Sequence, residues 1–252
     1  MTRIILSGCN GKMGQAIVRC VEQREDATIV AGVDIFTSCG YDFPVFDDFS
    51  KVSVEADVVI DFSNPAILDG LLAYVLKEKM PAIICTTGFS KEQVQRINDA
   101  SKETAIFYSG NMSLGINLMM ELAKKATALL NCDFDIEIIE KHHNQKIDAP
   151  SGTALMIADS IASELPKEPQ YVYDRHSYRK KREKNEIGIH AVRGGSIVGE
   201  HEVIFAGHDE VISIKHEAHS KEVFAIGSIN AAVFLNGKTA GMYNMGDLIA
   251  SK

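Results

Sequence analysis

The first third of the chain alternates short apolar, β-branched runs with segments of helical spacing, and this alternation restricts the possible folds more than any other feature of the sequence. Residues 3–7, 28–33 and 104–108 are strand-like, while 56–62 (A-D-V-V-I-D-F) and 82–85 are near-continuous apolar runs. Between them, 13–24 sets Ile17, Cys20 and Val21 at helical spacing. Pro65 opens a helix carrying Leu68, Leu71, Leu72, Val75 and Leu76, and 91–102 is amphipathic. A strand with no polar face has no side to show to water. Such strands, each followed by a helix, call for a parallel sheet covered on both faces.

The pattern changes near Asn111. Ile116, Met119, Met120, Ala123 and Leu130 recur at helical spacing, and Phe134, Ile136 and Ile138 then alternate in a strand over 134–140. A helix over about 151–165 precedes a polar, charged stretch, 166–185, which reads as an exposed loop. Two strands, 196–206 and 210–217, are expected to pair antiparallel across Gly207-His208-Asp209. Both faces of this second sheet carry apolar residues, so another subunit is expected to cover one of them. The helix over about 221–235 and the tail have no place in that sheet. The expected fold class is therefore α/β. It comprises a Rossmann-type dinucleotide-binding domain, 1–111 plus 222–252, with an inserted α+β domain, 112–221.

Composition excludes several classes. Twenty-six Lys and Arg against 34 Asp and Glu give a net charge of −8, opposite to the basic footprint of a nucleic-acid binder. No stretch approaches the roughly 18 uncharged apolar residues of a membrane span, and the opening apolar run breaks at Ser7-Gly8 before a signal-peptide core forms. Cys9, Cys20, Cys39, Cys85 and Cys132 are odd in number and widely spaced, which fits neither a disulfide framework nor a thiolate zinc site. A reduced, cytoplasmic protein is expected.

Gly8-Cys9-Asn10-Gly11-Lys12-Met13-Gly14 spells G-x-x-G-x-x-G between a strand and a helix. Glycine there allows a tight turn and close approach of backbone to a pyrophosphate, which the helix N-terminus attracts with unpaired N–H groups; Lys12 can add a charge. Asp34 ends the second strand, 20 residues past Gly14, where an acid accepts from both ribose hydroxyls. The bland alternative is a glycine-rich turn with a solvated aspartate. Ile35 follows Asp34, and no Arg or Lys occurs before Lys51, so NADH is expected over NADPH: a 2′-phosphate would meet Asp34 with no local cation. Thr86-Thr87-Gly88 and Ser109-Gly110-Asn111-Met112-Ser113 end two further strands. Ligands of open α/β sheets sit at such ends, so these turns should flank a nicotinamide, even if Ser90 and Ser113 also cap helices.

The most informative stretch is Glu140-Lys141-His142-His143-Asn144-Gln145-Lys146-Ile147-Asp148-Ala149-Pro150-Ser151-Gly152-Thr153-Ala154. Gly152 and Thr153, in a first helical turn, can give N–H groups and a hydroxyl to a carboxylate. Lys146 can pair with a carboxylate or protonate a developing anion, and His142 or His143 can act as general acid. Taken alone, a His-His pair on a loop is more often merely solvated. The pair lacks a third ligand at metal-binding spacing, so no metal is expected. The run 175–182 (R-H-S-Y-R-K-K-R) reads as a solvated, mobile loop, and Arg193-Gly194-Gly195 as a tight turn, with an anion contact as the lesser reading.

The block from Glu140 resembles the signature of the dihydrodipicolinate reductase family. G-C-N-G-K-M-G at Gly8, T-T-G at Thr86, N-M-S-L-G-I-N at Asn111, V-G-E-H at Val198 and Y-N-M-G-D at Tyr243 match in order, so the resemblance spans essentially the whole chain. It implies a homotetramer whose inserted domain binds substrate and tetramerises, and NAD(P)H-dependent reduction of a cyclic imine dicarboxylate to tetrahydrodipicolinate in lysine and diaminopimelate biosynthesis. It also implies that His142 is the general acid beside Lys146, and that His143, Lys146, Gly152 and Thr153 hold the substrate carboxylates. Ile35 departs from the many members with a basic residue there, and the 175–182 run is more basic than the family's glycine-punctuated pattern. Two other readings fit parts of the pattern, a sugar or amino-acid dehydrogenase and a non-catalytic dinucleotide sensor. The first often carries Glu-Lys-Pro where Glu140-Lys141-His142 stands, and the second has no use for an intact His/Lys block.

Overall fold

In the sheet of the first unit, alternate side chains point to opposite faces, and both faces are apolar. The structure is a computed structural model describing residues 1–38, 40–130 and 133–251; Cys39 and Cys132 lie outside the described residues, and Cys9, Cys20 and Cys85 form no disulfide. Among the described residues, β1 (Thr2–Ser7), β2 (Ala27–Val33), β3 (Val45–Phe46), β4 (Val58–Asp61), β5 (Ala82–Ile84), β6 (Ala105–Tyr108) and β12 (Gly241–Tyr243) lie in the order β3-β2-β1-β4-β5-β6-β12. Every neighbouring pair in this sheet is parallel.

On one face Ile4, Leu6, Val58, Ile60 and Phe107 meet Ile17 and Val21 of α1 (Lys12–Val21) and Ala225, Ile229 and Leu235 of α6 (Glu222–Leu235). On the other, Ile5, Val59, Ile84 and Ile106 meet Leu68, Leu71, Leu72 and Val75 of α2 (Leu68–Glu78) and Ile97 of α3 (Lys91–Ala100). Burying each such Ile or Leu side chain is worth about 1.5–3 kcal/mol, and consecutive strand residues contribute to opposite faces. Ser90 caps α3 through a capping box with Gln93. The expected parallel, doubly covered sheet is present, and the chain does return to it through α6, β12 and α7 (Met245–Ala250).

Contacts divide the chain into two compact units, Met1–Leu114 with Lys221–Lys252, and Gly115–Ser220. The second is a mixed five-stranded sheet in the order β11-β10-β7-β9-β8. Its strands are β7 (Asp135–His142), β8 (Gln170–Val172), β9 (Glu186–Arg193), β10 (Gly199–Ala206) and β11 (Val211–Ala218). β10 runs antiparallel to β7 and β11, whereas β9 runs parallel to β7 and β8. Ile136, Ile138, Ile187, Ile189, Val203 and Phe205 pack under Ile116, Met119 and Ala123 of α4 (Leu114–Leu130) and Ala154, Ile157 and Ile161 of α5 (Gly152–Ala162).

Three expectations need correction here. β9 was not anticipated, because E-I-G-I-H-A-V-R breaks its apolar alternation with Gly188 and His190; a Cβ on Gly188 would lie within 2.6 Å of the Glu137 carboxyl carbon, so glycine here makes room for that acid. The stretch 166–185 is not all loop, since it contains β8. The 175–182 run is not simply solvated. Arg175 bridges Glu186 and Glu137 at 2.6 and 2.8 Å, and Arg182 donates to Glu137, Asp135 and the backbone oxygens of Ile136 and Glu186. Glu186 and Glu137 lie on neighbouring strands, and their charges hold the loop.

Candidate active site

The glycine turn follows β1, beside the point where the order of the first sheet reverses, which is where open α/β sheets bind ligands. Gly8 has φ +75°, and a Cβ there would sit 2.3 Å from the Phe62 carbonyl oxygen. On Gly14 a Cβ would come within 2.2 Å of Gly8 O, so the first turn of α1 packs directly on the loop. Both glycines are thus required by close backbone approach. Gly11 caps α1 with no side-chain hydrogen bond, and Lys12 is exposed beside it. Asp34 accepts from Asn10 N at 3.0 Å with one oxygen and from Phe36 N at 3.2 Å with the other, while the Asn10 amide donates to Phe36 O at 2.6 Å. A carboxylate has about four acceptor sites, so two backbone donors leave capacity for ribose hydroxyls. A pyridine dinucleotide fits this turn: backbone donors at a helix start, no Cβ to obstruct, and an acid at the end of β2.

A residue with no role in the sequence reading organises the strand ends around it. Asp61, the last residue of β4, is 1% exposed and accepts from Ser7 Oγ at 2.7 Å, Ser63 Oγ at 2.6 Å and Thr86 Oγ1 at 2.6 Å. Thr86 Oγ1 also accepts from Ser63 N at 2.9 Å. The Thr86 hydroxyl is therefore committed to the protein interior, whereas Thr87 and Gly88 are exposed, Gly88 at φ +85°. Burial raises the Asp61 carboxyl above its ordinary range, outweighing the three hydroxyl donors that act the other way. At the next strand end, Ser109 Oγ donates to Asn111 O at 3.1 Å and the Asn111 side-chain oxygen accepts from Ser113 N at 2.8 Å. Asn111 and Met112 are buried; the Met112 carbonyl meets α6 so closely that a Cβ on Gly227 would fall far inside contact distance, 1.7 Å from it.

In the second unit, alternation along β7 puts Ile136, Ile138, Glu140 and His142 on the helix-covered face, so an apolar stripe turns polar at its C-terminal end. His142 is the last residue of the strand, not part of a loop as expected, and it is 9% exposed. Its Nδ1 lies 2.7 Å from Glu140 Oε2. Glu140, fully buried, also takes a bidentate pair from Arg193 at 2.6 and 2.7 Å and the Ser151 N–H at 2.9 Å. Pairing of β7 with β9 and β10 sets His142 opposite Arg193 and Glu140 opposite His201. Burial pushes the Glu140 carboxyl up, but Arg193, His142 and the Ser151 N–H together hold it below its ordinary range.

His201, 4% exposed, packs edge-on to His142 with ring centroids 5.2 Å apart, and its Nε2 lies 3.1 Å from Ser151 Oγ. Burial first, and then the neighbouring His142, push it down to about 4. Lys146 Nζ meets Asp148 Oδ1 at 2.9 Å; this ion pair, and to a smaller extent the Gly152 N–H, keeps the Asp148 carboxyl low. Gly152 is exposed at the start of α5, with open space where a Cβ would stand; Ser151 caps the helix through Ala154 N, and Thr153 follows half-buried. His143 is half-buried at the start of the connecting segment. His142, Lys146, Gly152 and Thr153 lie on one segment of the chain, and around His142 the structure brings Glu140, Arg193, Ser151 and His201, which have no catalytic role in the sequence pattern. Arg193 does contact an anion, but that anion is the protein's own Glu140. The sequence signal for Glu140 is its i, i+2 spacing from His142; Arg193 stands in a turn with an anion contact as the lesser reading and His201 ends the V-G-E-H motif, but neither pattern links them to His142.

Family descriptions match nearly the whole chain: "Dihydrodipicolinate reductase, N-terminus" over residues 2–112 and "Dihydrodipicolinate reductase, C-terminus" over residues 115–249. A 4-hydroxy-tetrahydrodipicolinate reductase of Clostridium tetani is 54% identical, covering 100% of this chain and 98% of the relative. The protein of the same description from Clostridium novyi is 52% identical, with 100% of each covered. Among solved structures, a dipicolinate-bound dihydrodipicolinate reductase from Paenisporosarcina sp. TG-14 superimposes with a TM-score of 0.81 at 27% identity, covering 97% of both chains.

Proposed function

Because this chain belongs to the dihydrodipicolinate reductase family, we propose that it reduces the cyclic imine dicarboxylate of lysine and diaminopimelate biosynthesis to tetrahydrodipicolinate, with a pyridine nucleotide as reductant, in the cytoplasm. The observation that carries this reading is that Lys146, in the segment connecting β7 to α5, already binds a carboxylate, that of Asp148. A small dicarboxylate taking the place of Asp148 would meet the same cation, with the Gly152 N–H, Thr153 and His143 close by in sequence.

When bound, a reduced pyridine nucleotide would supply the hydride. The glycine turn 8–14, with Asn10, Gly11, Lys12 and Met13, would hold its pyrophosphate, and Asp34 would accept from the ribose. Thr87 and Gly88, backed by Thr86, and the Ser109–Met112 turn are the residues that would hold the nicotinamide. His142 supplies the proton at the far end of the conjugated system, and Lys146 offsets the charge that develops there. Ile35 is 77% exposed and no cation follows Asp34 before Lys51, which supports NADH over NADPH. The second sheet and exposed apolar residues on α4 (Leu118, Leu122 and Leu129) support a homotetramer.

The test is oxidation of NADH in the presence of the imine made from pyruvate and aspartate semialdehyde. Turnover is expected, with kcat/KM higher for NADH than for NADPH, and Lys146→Ala is expected to lower kcat by about 10²-fold or more while NADH still binds. Absence of turnover with bound NADH refutes the activity, and a clear preference for NADPH refutes the coenzyme assignment.

A further inference from the structure

We propose that Glu140, backed by Arg193, is a positioning residue that decides which nitrogen of His142 delivers the proton; this rests on the reading of His142 as general acid. Every group touching the Glu140 carboxylate is a donor: Arg193 through both terminal nitrogens and Ser151 through its backbone N–H. Arginine has no acceptor, and an ionised carboxylate has no donor. The 2.7 Å contact between Glu140 Oε2 and His142 Nδ1 therefore requires the imidazole to donate from Nδ1. Nε2 is left as the nitrogen whose proton moves, and it makes no hydrogen bond among the described residues.

A second observation concerns Nε2 itself. It faces Gly199 at the start of β10, where a Cβ would stand only 3.2 Å away, so glycine keeps that nitrogen uncovered. A third links the acid to the substrate segment. Arg193 also donates to Asp148 O at 2.7 Å, and Glu140 accepts from Ser151 N, so the pair grips both sides of the Ala149-Pro150 turn beyond Lys146. The charged and titratable groups facing His142 are Glu140 on its own strand, Arg193 on β9, and His201 on β10 with His216 beside it on β11; Lys146 and Asp148 follow in the connecting segment. His201 stays neutral near pH 7, so Glu140 is the anion in contact with the ring.

In the step itself, protonated His142 gives its Nε2 proton to the substrate. The bonding pair stays on Nε2, Nδ1–H remains on Glu140, and water restores the proton.

The test substitutes Glu140→Gln. Both carboxylate oxygens accept from Arg193, but Oε1 also takes the Ser151 N–H, whereas Oε2 meets His142 Nδ1, the one partner that can switch to accepting. The glutamine amide nitrogen therefore takes the Oε2 side, giving up one Arg193 bond and donating to Nδ1, which reverses the neutral tautomer to Nε2–H. Expected results are a kcat lower by about 10²-fold, an unchanged KM for NADH, and 15N histidine spectra showing Nδ1–H in the native enzyme and Nε2–H in the variant. Turnover within twofold of native, or the same tautomer in both, overturns the proposal. If the variant does not fold, the native spectrum decides alone: Nε2–H there overturns it. The spectra need no substrate, so a separate failure, native turnover in His142→Gln, would sink the general-acid reading and leave the tautomer result standing.

Discussion

Two buried carboxylates show how neighbours set protonation residue by residue. Asp61 is surrounded by three hydroxyls, which cannot repay the loss of water, and its carboxyl is raised; Glu140 meets a guanidinium, and its carboxyl is lowered. The consequences for stability have opposite signs. A raised carboxyl stabilises the fold fully below the ordinary value of about 3.9, and that contribution is lost as pH rises through the folded value. For Glu140 the contribution is present above the ordinary value and is lost as pH falls through the folded one. Asp61→Asn is therefore expected to flatten the fall in stability that begins near pH 4, as read from urea midpoints across pH, because a neutral amide still bonds to Ser7, Ser63 and Thr86. Asp61→Ala, which leaves three hydroxyl protons without their acceptor, is expected to cost about 1–3 kcal/mol at every pH. An unchanged pH slope in the asparagine variant would count against a raised Asp61. The sequence shows neither set of partners: Asp61 lies inside the apolar run 56–62, and Arg193 is 53 residues from Glu140.

At the scale of elements, the glycines separate what local pattern shows from what packing imposes. Gly8 and Gly14 were legible because their spacing marks a turn between strand and helix. Gly227 was not, since a glycine inside the apolar helix α6 has no local function, and its reason is the Met112 carbonyl pressed against it. Gly227→Ala gains up to about 1 kcal/mol of helix propensity but forces α6 away from that backbone. A net loss of about 1–3 kcal/mol is expected, seen as a lower Tm and urea midpoint. A variant as stable as native would show that α6 shifts at little cost. Other elements followed the same division. The expected hairpin is present as β10 and β11, whereas β9 escaped notice because its glycine and histidine serve Glu137 on the adjacent strand.

For the whole molecule, a net charge of −8 coexists with Lys146 and two histidines on the segment that begins at His142. The acidic total argues against a nucleic-acid surface and leaves a dicarboxylate open, since that needs one local cluster rather than a basic total. The proposed homotetramer is expected to sediment at about four times the 27.6 kDa chain mass at micromolar concentration; a monomer under those conditions would refute it. Among the described residues no helix is long and apolar enough to cross a membrane. The amino-acid order by itself determined the parallel, doubly covered sheet, the nucleotide turn, the return of the chain and the family, since each is written in spacings of a few residues that backbone geometry enforces. Only the tertiary structure decided that Glu140 joins Arg193 to His142, that Asp61 binds three strand ends, and that acidic strands anchor the basic loop. Those are contacts between residues far apart along the chain, and a buried charge chooses its partners by what folding brings within about 3 Å, which no local periodicity records.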